Sequence, residues 1–329
     1  MVGWLYSCGA SMDVSLVVFD KDGTLLDFHA TWVHAFREAA ECIACISGEK
    51  DLAPALLKAG GWVEDADGPR ITLDGLFMHA TNEEIAQEWI DTQPIVAAHF
   101  ERDSVALMAL MESVLRECTT RDAAPLGPVE DVLRELRGAG LALAIVTNDS
   151  EALARVQLAR LGWTEYFSAV VGFDSGYGGK PAGGGVRAAA EAAGVGPEHA
   201  IMVGDAECDM TAGQAAGCAF TVAIHPDGKP LPVGLATAAC RMPCIAALPE
   251  VLAIAGHDGL RAARSGAAAR TTPPKPQQPL SAGLATAPTQ AQQTRAHAEA
   301  RVAAMAAAEV DGAVISLVEG LQTPDSVSF

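Results

Sequence analysis

In the stretch VVFDKDGTLLD (residues 17–27) an apolar run ends on two aspartates, Asp20 and Asp22, with one lysine between them. Side chains two apart in extended backbone point the same way, so both carboxylates can reach one point just beyond the strand. Two like charges held that close need a cation or a shared proton. Two more apolar runs and a glycine-rich loop lead into polar residues of a matching kind. IVTND supplies Thr147 and Asn148, the glycine-rich GGKP supplies Lys180, and MVGDAECD supplies Asp205 and Asp209. Taken singly, each has a plain explanation: DG is a common turn, a loop lysine is ordinarily solvated, and a strand-end threonine ordinarily caps. Four such ends together point to one site, because ligands of open α/β sheets sit beyond the carboxyl ends of the strands.

Phosphoryl transfer through a carboxylate nucleophile fits this set. In that chemistry Asp20 attacks phosphorus and becomes an aspartyl-phosphate, while Asp22 protonates the leaving oxygen and later takes a proton from the hydrolytic water. The expected ligands of a hard divalent cation, Mg²⁺, are Asp20, the Asp22 backbone carbonyl and Asp205, with Asp209 supporting them. Thr147 and Asn148 are expected to bind phosphate oxygens, and Lys180 to balance Asp20 and the transferring group. Gly23 permits the tight turn that brings backbone N–H groups to phosphate.

Residues placed at four strand ends need a sheet to hold them. From Pro125 to about Leu248, strand and helix signals alternate: a helix at 128–138, a strand at 141–146, a helix at 150–161 capped by Asp149 or Ser150, and the strand SAVVG. A Gly-rich loop (175–185), a helix near 186–193, the strand AIMVG (200–204), a helix near 207–216 and the strand AFTVAI (219–224) follow. Repeated βα units of this kind predict a doubly wound parallel sheet with helices on both faces. The strand at 14–19 joins that sheet across about a hundred intervening residues. Those residues read as helices, with Trp32, Phe36, Ala39 and Ile43 on one face, a capping box at Thr81 and Glu84, and an apolar-periodic run from Val105 to Leu115. The expected organisation is a catalytic core at 1–27 plus 125–257 and a helical cap at 28–124. A linker rich in Ala, Gln, Thr and Pro at 258–300 is expected to be disordered. A final helix at 301–329 has no assignable role or partner.

Composition narrows the partners. The 329 residues carry a net charge of −19, which repels nucleic acid and anionic membrane over most of the surface. No apolar run reaches the roughly 18 residues of a spanning helix. The N-terminal MVGWLYSCGASMDVS lacks the marks of a signal or transit peptide, and Met12 is a possible start. Eight cysteines are read as reduced thiols of a cytoplasmic protein. Cys42 and Cys45, a C-x-x-C inside a helical pattern, are expected to be buried structural thiols. Cys240 and Cys244 have no histidines suitably spaced for a metal site, and His225 and His29 read as loop and surface residues.

DKDGT, VTND, GGKP and GDAECD resemble, in order and separation, the four motifs of the haloacid dehalogenase-like superfamily in its phosphatase branch. The resemblance spans about 13–257 and implies a Rossmann-like core, an inserted helical cap of the C1 type, and Mg²⁺. FDKDGTLLDFHATW and GYGGKPA are most similar to phosphoglycolate phosphatase-like members. P-type ATPases have Thr where Asp22 stands, and dehalogenases and phosphonatases lack this second acid, so Asp22 favours a phosphatase or phosphomutase. After Lys180 the chain departs from the family in reading PAGGG, which is richer in glycine than usual. The expectation is therefore a Mg²⁺-dependent phosphomonoesterase acting on a small phosphorylated metabolite, 2-phosphoglycolate first. A carboxylated substrate would need a second cation, for which Arg37, Lys58, Arg70 and His79 are candidates. The rivals are a sugar-phosphate phosphatase or phosphomutase of the same fold, and a non-catalytic phosphate-binding scaffold, which should have lost one of the acids.

Overall fold

Strand β1 (Leu16–Phe19) is four consecutive apolar residues, all buried, the pattern of a strand covered on both faces. It opens a computed structural model that describes residues 13–49, 51–65, 68–72, 75–257 and 259–260. The chain then leaves the sheet for the inserted segment. This carries α1 (His34–Ile46), α2 (Leu52–Ala59), β2 (Trp62–Asp65), β3 (Gly68–Ile71), α3 (Leu76–His79), α4 (Asn82–Thr92), α5 (Pro94–His99) and α6 (Ser104–Asp122).

The insert was expected to be wholly helical, and the antiparallel β2–β3 hairpin corrects that. Gly60 and Gly61 end the helical run, and the β-favouring Trp62, Val63 and Ile71 pair across the hairpin. The expected apolar face of the first helix is buried, with Phe36 stacked on Phe77 at 4.0 Å between ring centroids. Phe77 in turn meets Trp89 edge-on, and the Trp89 indole donates to the Leu56 carbonyl at 3.1 Å. The Thr81–Glu84 capping box forms at the start of α4. Cys42 is buried as expected, but Cys45 is exposed, because it falls on the outer side of α1.

The core continues with α7 (Val129–Gly138), β4 (Ala142–Val146), α8 (Glu151–Leu161), β5 (Ala169–Val171), α9 (Gly184–Ala192), β6 (Ala200–Gly204), α10 (Glu207–Ala216), β7 (Phe220–Ile224), β8 (Cys240–Met242) and α11 (Leu248–Ala255). Six parallel strands form one sheet in the order β5-β4-β1-β6-β7-β8. Alternate strand residues serve opposite faces. Val17, Phe19, Ile145 and Val203 pack with Leu133 and Leu158. Leu16, Val18, Val146 and Met202 pack with Val186 and Ala212. β1 lies between β4 and β6, with Phe19 level with Ile145 on one side and Val203 on the other. The strand order reverses at β1, so a crevice opens beyond its carboxyl end.

The described chain divides into two compact units, with division points at Thr31/Trp32 and Cys118/Thr119. Apart from residues 259 and 260, the expected linker and final helix lie outside the described residues, as does Met12.

Candidate active site

The last residue of β1 hands directly to Asp20, whose N–H donates to the Val203 carbonyl of β6 at 2.9 Å. Asp20 is buried, and its carboxylate accepts from the Lys180 ammonium. Lys180 also donates to Asp209 at 2.6 Å, so one buried cation joins two of the predicted acids. The other oxygen of Asp209 accepts from the Ala206 N–H at 3.0 Å in the first turn of α10. With a donor on each oxygen, Asp209 anchors Lys180. Asp205, at the end of β6, accepts from the Thr24 hydroxyl at 3.1 Å. Ligand-capable oxygens of Asp20, Asp205 and Asp209 lie within 4.8 Å of one another.

Gly23 makes this proximity possible. Its φ of +84° is in the left-handed region, and a Cβ there would sit 2.3 Å from an Asp205 carboxylate oxygen. The glycines after Lys180 have a similar explanation. A Cβ on Gly183 would lie 2.5 Å from the Ala216 backbone nitrogen, and one on Gly184 would lie 2.1 Å from the Tyr177 carbonyl. PAGGG is thus the sequence of a loop end and first helical turn pressed against backbone on two sides.

Electrostatics follow from burial. Desolvation lowers the Lys180 ammonium, but attraction to Asp20 and Asp209 outweighs it and holds the group protonated, above its ordinary range. Burial pushes the Asp20 carboxyl up, against the pull of Lys180, and the Asp209 and Asp205 charges add to the rise. Burial, then the charge of Asp209, takes Asp205 up to about 7. Crowded carboxylates that resist ionisation and offer only oxygen donors fit a hard divalent cation, whose charge would offset their repulsion.

The second predicted pair behaves differently. Thr147, buried just after β4, accepts from the Asp149 N–H at 3.1 Å and keeps its own hydroxyl proton to donate. Asn148, expected on phosphate, uses its side chain to hold the backbone of Lys180. Its oxygen accepts from the Lys180 N–H at 2.7 Å and its NH₂ donates to the Lys180 carbonyl at 3.0 Å. Ser150, not Asp149, caps α8, accepting from the Leu153 N–H at 3.3 Å.

Sequence reasoning gave no site role to Thr24, to Lys21 between the two acids, or to Asp149, read as a possible cap. Lys21 is fully buried and pairs with Asp22 and, at 2.7 Å, with Asp149. Burial lowers its ammonium, but Asp149 and Asp22 more than compensate and raise it. The available signal was a lysine placed directly after a fully buried strand. In the insert, Arg37 lies over the Trp62 ring at 4.9 Å, Arg70 pairs with Asp65 at 2.9 Å, and Lys58 is exposed. The His79 side chain lies outside what the structure describes. His225 bonds the Lys229 carbonyl at 3.2 Å in its own loop, and His29 is exposed.

Comparisons with known proteins converge on one family. A family model described as haloacid dehalogenase-like hydrolase matches residues 14–217. The chain is 32% identical over 205 residues to a phosphoglycolate phosphatase of Neisseria meningitidis, covering 62% of this chain and 78% of that protein. It is 36% identical over 212 residues to one from Xylella fastidiosa (strain 9a5c), covering 63% and 79%. Among solved structures it resembles a HAD phosphatase from Thermococcus onnurineus, with TM-score 0.51 and 22% identity over 73% of this chain and 98% of that one. No helix among the described residues is long and apolar enough to cross a membrane.

Proposed function

We infer the reaction from one premise: this chain belongs to the haloacid dehalogenase-like hydrolase family, and it is a hydrolase of the phosphatase type. The reading proposed is a Mg²⁺-dependent phosphomonoesterase that works through an aspartyl-phosphate. The observation that carries it is the gathering of Asp20, Asp205 and Asp209 around the Lys180 ammonium at the ends of β1 and β6.

An Asp20 oxygen forms the new bond to phosphorus as the ester P–O bond breaks. The departing oxygen takes a proton from Asp22. Water then attacks the aspartyl-phosphate, Asp22 takes the water's proton, and inorganic phosphate leaves with Asp20 restored. Lys180 holds Asp20 in place and offsets charge on the transferring group. The Thr147 hydroxyl and the backbone N–H of Asn148 bind phosphoryl oxygens. Asp20, Asp205 and the Asp22 carbonyl would hold Mg²⁺, supported by Asp209, and the ion when bound supplies further charge neutralisation on the phosphoryl oxygens.

The substrate reading is a small phosphorylated acid, 2-phosphoglycolate first, and its support is the pair of phosphoglycolate phosphatase relatives. The test is kcat/KM across a panel of phosphate esters with Mg²⁺, monitoring inorganic phosphate. Phosphoglycolate is expected to lead. A hexose phosphate that outruns it tenfold overturns the substrate, and isomerised sugar phosphate without released phosphate would make the chain a mutase. Failure to turn over any ester leaves the phosphate-binding scaffold.

A further inference from the structure

Lys21 occupies the position between the two acids of DKDGT, where a side chain has no part in the chemistry just derived. It is nevertheless fully buried, and a buried ammonium is retained only where partners replace its water. Those partners are Asp22 on one side and Asp149, at 2.7 Å, on the other. The two carboxylates come from different strand ends. Asp22 follows β1 and Asp149 follows β4, the neighbouring strand. Asp149 is itself fixed: its N–H donates to the site residue Thr147 at 3.1 Å, and Ser150 relieves it of capping α8. Asp22 is meanwhile less enclosed than Asp20 and Asp209, its side chain 16% exposed against 9% and none. A carboxylate on that rim, on the loop leaving the sheet, needs something to hold it toward one point.

We propose that Lys21 and Asp149 form a positioning pair for Asp22, a clamp from the end of β4 that aims the acid–base carboxylate at the leaving oxygen. Lys21 bridges the two carboxylates, and Asp149 supplies the second negative charge that holds Lys21 in place. Neither touches the phosphoryl group. The inference rests on the phosphatase reading, since Asp22 has a leaving group to serve only there.

A leaving group that needs no proton separates positioning of an acid from general structural support. Lys21→Met and Asp149→Asn would be compared with wild type on an alkyl phosphate and on 2,4-dinitrophenyl phosphate, using kcat/KM, which reports the steps up to phosphorylation of Asp20. Each variant should lose about 10–100-fold on the alkyl ester, part of the 10²–10⁴ that a positioned acid–base supplies, and under about threefold on the aryl ester. The double variant Lys21→Met/Asp149→Leu, an apolar pair in place of the ionic one, should recover thermal stability without recovering the alkyl ester. It also stands in for either single variant that fails to fold.

Equal losses on both esters, or return of alkyl-ester activity together with stability in the double variant, would make the pair purely structural and overturn the proposal. Full alkyl-ester activity in Asp149→Asn would overturn it as well. Wild type inactive on both esters would instead bring down the phosphatase reading, and this inference with it.

Discussion

As the proposed nucleophile, Asp20 would face two conflicting demands: attack on phosphorus needs the anion, and burial pushes its carboxyl toward the neutral form. Lys180, itself held by Asp209, opposes that drift. Replacing Asp20 with Asn keeps the shape and removes the nucleophile. Asp20→Asn should fold with an unchanged circular dichroism spectrum and show no turnover, and beryllium fluoride, which mimics a carboxyl-bound phosphoryl group, should inhibit wild type. Normal turnover by a verified Asp20→Asn sample would reject the assignment. Gly23 is the second residue on which the site depends. A side chain there meets both a left-handed backbone, costing about 1–2 kcal/mol, and the Asp205 carboxylate at 2.3 Å. Asp205 has to move, and a displacement on the order of 1 Å at a reacting centre costs about 100-fold in rate. Gly23→Ala should therefore lower kcat by that order and Tm by several degrees. A variant that loses stability while keeping kcat would show that Asp205 can shift without harm.

Among elements, α4 isolates one interaction. Thr81 accepts from the Glu84 N–H at 3.2 Å, and the Glu84 carboxylate accepts from the Thr81 N–H at 2.7 Å. Thr81→Ala should cost about 1 kcal/mol, lowering Tm by roughly 2–4 °C in a chain this size. A melt unchanged within a degree would mean that packing alone holds the helix start. That box was legible in the sequence because its signal is local, two residues at fixed spacing. β1, β4 and β6 were legible for a related reason: strands buried on both faces read as unbroken apolar runs. β8, Cys240–Met242, carries Arg241 in its middle, so no unbroken apolar run marks it as one marks β5, and its identity comes from pairing with β7. The β2–β3 hairpin was hidden because its two four-residue strands, WVED and GPRI, sit among helices and take their pairing from each other. The site divides along the same line. Acids at strand ends announced themselves, whereas Lys21, Asp149 and the side chain of Asn148 acquire their partners only when β1, β4 and the Lys180 loop come together. Distance in sequence concealed them, since Asn148 and Lys180 stand 32 residues apart.

The molecule as a whole is strongly acidic, with 41 Asp and Glu against 22 Lys and Arg, and the site intensifies that imbalance. Asp20, Asp22, Asp149, Asp205 and Asp209 gather at the carboxyl end of the sheet, where Lys21 pairs with Asp22 and Asp149 and Lys180 with Asp20 and Asp209. In the folded chain Asp205 rises to about 7, first through burial, and Asp149 to about 6 for the same leading reason. Unfolded, both return to the ordinary value of about 4. Between those limits the native state binds more protons than the unfolded one, so these groups stabilise the fold fully below about pH 4. That contribution is lost as pH rises through about 6 to 7. A divalent cation on the Asp205 oxygens would take the place of the proton there and should matter most where that proton has gone. Tm measured after chelation and again with saturating Mg²⁺ tests this at pH 5 and pH 8. Binding at 100 times Kd contributes about 2.7 kcal/mol, or roughly 5–10 °C here. That increment should be present at pH 8 and much smaller at pH 5, where protons compete. Asp205→Asn should lose most of the pH 8 increment, because it removes an anionic ligand and the group that titrates. An equal increment at both pH values, or an undiminished one in Asp205→Asn, would place the cation elsewhere than on this cluster.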